Sequence, residues 1–170
     1  MNKGMRPQDI VIILKIICFG EKGWMQKDLA GSLYMSHSGI SEALARLAMS
    51  GLLIGDKKEV NRKSLQEFLV SGLKYVFPVR PGGIVRGIPT AHSAPPLSEL
   101  IQGGQEEFVW AYDHGNMRGQ AIEPLYHTVP RAASEDQCLH RFLSLADAFR
   151  AGRARERKLA ADKLKEMLAL

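Results

Sequence analysis

The chain has 170 residues, 45% hydrophobic and 24% charged, enough for one ordinary domain or two small ones and normal for a globular protein that needs no staples. The formal charge of +5 and the pI near 9.3 suit a nucleic-acid partner without demanding one. The charge is uneven: residues 1–75 carry 11 Lys and Arg against 7 Asp and Glu, residues 76–130 carry 3 against 5, and residues 131–170 carry 9 against 6.

Along the chain, Pro7 suits the first turn of a helix, where its missing N–H is harmless. Ile10, Ile13, Leu14 and Ile17 then repeat at helical spacing. The run "IVIILKIICFG" contains Lys15 and falls well short of the roughly 20 residues needed to span a bilayer. It also lacks a small-residue cleavage site, so the expectation is a cytoplasmic protein with no membrane partner. Cys18 reads as a small core residue of this helix; Cys138 is far away, and nothing suggests an oxidising compartment. "GEKG" at 20–23 stops the helix. A second helix is expected from Met25 to about Leu33 and a third from about Ser38 to Ser50, closed by Gly51. "LLIGDKKEVN" carries a modest hairpin signal, and Asn61 is placed to cap a fourth helix, "RKSLQEFLVSGLKYVF".

The central section changes character. "FPVRPGGIVRGIPTAHSAPPL" holds five of the eight prolines and three glycines, which excludes regular helix. Its Val79, Ile84, Val85, Ile88 and Leu97 point to a strap packed on the domain rather than free disorder. "EFVWAYDHG" reads as a strand ending in a turn and "AIEPLYHTVP" as a weaker second strand. From Ser134, taken as an N-cap with Glu135 and Asp136 in the first turn, the chain is helical to its end, with a break at Gly152.

Within this frame, "MQKDLAGSLYMSHSGISEALARLAMSGLL" resembles the helix-turn-helix core of winged-helix transcription regulators, MarR-like in the broad sense. The carrying residues are Gln26, Asp28-Leu29-Ala30, Met35-Ser36, Ser38, Ile40-Ser41, Leu44, Arg46-Leu47 and Gly51-Leu52-Leu53. The likeness covers about residues 8–75. Periodicity agrees: Leu29, Ala30 and Leu33 face a core from the second helix, and Ile40, Ala43, Leu44 and Leu47 from the third. The other face of the third helix is then short and polar enough to enter a major groove about 12 Å wide. One position departs from the pattern: Tyr34 stands where the turn usually has Gly, at a steric cost if the backbone there is left-handed.

The expected fold is therefore mainly α (α+β). It has a winged helix-turn-helix at 1–76, a Pro/Gly-rich strap with a short strand pair at 77–133, and a C-terminal long helix or helix pair at 134–170. The expected function is a sequence-specific double-stranded DNA-binding regulator, a homodimeric repressor and not an enzyme. The expected DNA contacts are Gln26, Lys27, Ser36, His37, Ser38, Ser41, Glu42 and Arg46, with Lys57, Lys58 and Arg62 on and beside the wing. Leu139, Phe142, Leu143, Ala146 and Phe149 make an apolar stripe read as the dimerisation surface. Two other classes stay open: an antitoxin-like protein that binds a protein partner and its own promoter, and a ligand sensor with its site in 80–127. "RPGGIVRG" has Gly and Arg for an anion but no strand–loop–helix context. The five histidines show no metal-ligand spacing, so no metal or cofactor is expected.

Overall fold

The computed structural model describes residues 4–102 and 106–170. Helix α1 (Pro7–Phe19) starts with the Arg6 amide donating to the Asp9 carboxylate (2.9 Å) and stops at Gly20, whose φ of +64° favours glycine. Ile10 through Leu14 are all buried, a helix apolar nearly all round and so placed at the centre. Helix α2 (Gln26–Leu33) opens with the Met25 amide donating to Asp28, and α3 (His37–Met49) with the Gly39 amide donating to the Ser36 hydroxyl (3.0 Å). Their apolar positions, Leu29, Ala30 and Leu33 on α2 and Ile40, Ala43, Leu44 and Leu47 on α3, are buried against α1.

The hairpin after α3 is minimal. Strand β1 (Leu53–Ile54) pairs antiparallel with β2 (Glu59–Val60) around a helical turn at Gly55–Lys58. Asn61 then accepts from the Ser64 amide (3.2 Å) and starts α4, a continuous helix made of Arg62–Glu67, a wider π turn at Phe68–Gly72 and Leu73–Val76.

The proline-rich section holds a strand that its prolines hide. Strand β3 (Ile84–Pro89) pairs antiparallel with both β4 (Phe108–Ala111) and β5 (Met117–Ala121), and β4 and β5 pair in parallel, closing a three-stranded barrel. So tight a closure needs missing side chains. A Cβ on Gly87 would lie 1.8 Å from the Trp110 carbonyl oxygen, and one on Gly119 would lie 2.6 Å from that of Glu107. The second strand expected at "AIEPLYHTVP" lies earlier, at β5; residues 122–128 are irregular.

Three helices complete the chain: α5 (Val129–Ser134), α6 (Gln137–Ala151) and α7 (Ala154–Met167). The cap of α6 is Asp136, which accepts from the Leu139 amide (3.1 Å), not Ser134, which ends α5. Gly152 separates α6 from α7 as expected. All residues from Phe142 to Phe149 are buried. α6 is thus a second central helix, packed on α1, α4 and α7 and on the turn after β3. This corrects the dimerisation reading. Leu139, Phe142, Leu143, Ala146 and Phe149 cover the chain's own core, and the stripe is broad because the helix is enclosed on every side. One apolar core runs from Ile10 to Leu168 through all three sections.

Asp147 sits inside that core and is satisfied by donors from three elements. It accepts from Thr90 (2.7 Å), the Trp110 indole (2.7 Å) and Arg150 (2.8 Å), and Arg150 also donates to the Phe77 and Glu123 carbonyls. Burial pushes the Asp147 carboxyl above its ordinary range, opposed by Arg150 and the hydrogen bonds. The cluster bolts the barrel to α6. Cys18, at the end of α1, is not simply a core residue: it is joined in a disulfide to Cys138 at the start of α6, with Cα atoms 5.8 Å apart. Among the described residues, no helix is long and apolar enough to cross a membrane.

Candidate nucleic-acid interface

Helices α2 and α3 meet at a three-residue turn, Tyr34 to Ser36, and Tyr34 there is left-handed (φ 57°, ψ 44°). An ordinary L residue is strained in that region, and here the strain is offset by contacts to α5 and the residue after it. The Tyr34 hydroxyl donates to Glu135 (2.5 Å), which holds its proton and raises its pKa, and the Arg131 guanidinium lies 3.9 Å from the ring centroid. The Thr128 hydroxyl donates to the Leu33 carbonyl (2.7 Å) beside it. The turn is thereby fastened to the C-terminal half, and Arg131 adds an exposed cation near the start of α3. Sequence reading missed Arg131; the one available signal was an aromatic residue where a small one is usual.

With the apolar side of α3 buried, Ser36, His37, Ser38, Ser41, Glu42 and Ala45 are all exposed. Short side chains leave the helix slim, and the N–H groups of its first turn face outward. Gln26 and Lys27 are exposed on the first turn of α2. They share a groove with Trp24, His37, Asp56 and Lys58, which runs from α2 past α3 to the hairpin turn.

Three of the expected charged contacts are already engaged within the chain. Arg46 turns under α3 and forms a two-pronged pair with Asp9, Nε to Oδ2 at 2.8 Å and NH2 to Oδ1 at 2.7 Å. The Asp9 side chain has no exposure and that of Arg46 only 10%. The hydrogen bonds to Asp9 raise the Arg46 pKa further, so it stays charged. Arg46 therefore sets the angle of α3 on α1 and is corrected from a groove contact to a positioning residue. Arg62 is half-buried and donates to the Leu168 carbonyl (3.0 Å), which ties α4 to the C-terminus. Lys58 donates to the Trp24 carbonyl (3.2 Å) and lies 5.2 Å from the indole centroid, yet stays exposed at the edge of the groove. The Lys57 side chain lies outside the described residues.

Compared with known family models, curated proteins and solved structures, the chain matches none.

Proposed function

We propose that this protein is a sequence-specific double-stranded DNA-binding transcription regulator, a homodimeric repressor, that inserts α3 in the major groove. The observation that carries the reading is the exposed face of α3. It is a row of short polar side chains at a free helix start, and Lys27 and Lys58 edge the groove beside it. Ser38, Ser41 and Glu42 are the groups of this face able to bond base edges, and the amides at Ser36–Ser38 suit a phosphate. The hairpin acts as a short wing whose Lys58 reaches a flanking phosphate.

Three helices in this order, followed by a hairpin, suit a winged helix-turn-helix. The dimer surface in this reading is not the α6 stripe, which is enclosed. The test is a duplex titration across salt. Affinity should fall steeply from about 50 to 200 mM, with a log–log slope near −0.9 per phosphate contact. Ser38→Ala or Ser41→Ala should cost about 1–3 kcal/mol at the preferred site and relax its sequence preference, whereas Lys58→Ala should weaken all duplexes alike. Absence of duplex binding at low salt overturns the proposal.

A further inference from the structure

In the register of the barrel, Arg86 on β3 stands directly opposite Arg118 on β5. Directly opposed residues of an antiparallel pair share one face with their Cβ atoms about 5 Å apart, and like charges there are destabilising. Both arginines are exposed. Neither side chain has a hydrogen bond or an ion pair among the described residues, in contrast to Arg46, Arg62, Arg141, Arg150 and Arg157, which all have partners. Glu107, packed near Gly119, forms no pair with either. On its other side β3 meets Tyr112, whose amide donates to the Arg86 carbonyl (3.1 Å). Arg86 thus stands between Arg118 on β5 and Tyr112, the residue just past β4, whose ring meets His114 edge-on. The strands are pinned by the close approaches at Gly87 and Gly119, so the two cations cannot drift apart by a shift of register.

We infer that Arg86 and Arg118 form an oxyanion site for a phosphate group, with Tyr112 beside it. An arginine fork donates to two phosphate oxygens at once, and two forks on one face offset their mutual repulsion by sharing the anion. The phosphate belongs either to a small phosphate ester or to a nucleic-acid backbone. The site stands on the barrel alone and does not depend on how α3 is read.

The test follows the arginine Nε–H signals of the full chain by NMR, with inorganic phosphate, a mononucleotide and an arbitrary DNA duplex as successive probes. The expected result is a saturable response of Arg86 and Arg118 together, well beyond that of exposed Arg153 and Arg155. Arg118→Gln should weaken the Arg86 response about tenfold or more, and Arg118→Lys should restore part of it. A response to the mononucleotide assigns a small ester, and a response to the duplex alone assigns the backbone. A response to inorganic phosphate only marks an adventitious ion and overturns the proposal. So does an Arg86 response that Arg118→Gln leaves unchanged. Duplex-induced shifts of the Ser38 and Ser41 amides report on α3 separately, so each reading can fail without the other.

Discussion

Replacing Arg46 with alanine separates a positioning role from a DNA contact. Asp9 is fully enclosed and accepts three hydrogen bonds, one from the Arg6 amide and two from Arg46. Arg46→Ala removes both charged donors and leaves a buried carboxylate with one neutral partner. Removing one partner of a buried pair costs about 3–5 kcal/mol, because the remaining charge stays desolvated. A domain of this kind has a total stability of about 5–15 kcal/mol, so a fifth or more of it is at stake. Urea denaturation followed by far-UV circular dichroism measures the loss, and Arg46→Lys, which keeps the charge without the fork, should fall between. A loss below about 1 kcal/mol, the level of an exposed pair, would refute the reasoning, and if duplex affinity also collapsed, Arg46 would be a groove contact after all.

Other outcomes follow from the same packing. The Cys18–Cys138 bond closes a loop spanning 120 positions. In the chain-entropy account a reductant, or Cys138→Ser, should lower stability by about 4–5 kcal/mol, readable as a fall in urea midpoint and as two thiols titratable only after reduction. His140 is half-buried against Trp110 and bonded to the Pro89 carbonyl (2.7 Å), and burial holds its pKa below the ordinary value despite that bond and the Asp147 charge. As the pH falls below about 6.5 the unfolded chain takes this proton before the folded one. Stability is therefore complete above that pH and declines below it, and His140→Gln should remove this part of the decline in urea midpoints. A chain ending at residue 133 should show no cooperative thermal transition, because it lacks α6, half of the central helix pair; a folded, cooperatively melting truncation would contradict the single core.

The N-terminal third was legible because its elements are local. Helical spacing, the Asn61 cap and the glycine stops act within a few residues, and α1 to α4 lie close to where the pattern puts them. What was hidden depends on distant pairing. β3 carries Gly87 and Pro89, which argue against a strand until Trp110 is known to lie against it. The Cys18–Cys138 bond is invisible to spacing. The α6 stripe could be recognised as apolar but not assigned an owner, since covering a partner and covering one's own core demand the same residues. Arg46 shows the same limit at one side chain: its place on α3 suits either a groove or Asp9, and only the crossing of α1 and α3 decides.

The central claim is that α3 reads duplex DNA, and the most direct test is selection of bound duplexes from a random pool at low salt, followed by sequencing of what is retained. The expected result is a short enriched motif, repeated with two-fold symmetry if the protein binds as a dimer, that Ser38→Ala or Ser41→Ala relaxes at defined base pairs. A pool that is not retained, or one retained without enrichment and equally by both variants, would contradict it.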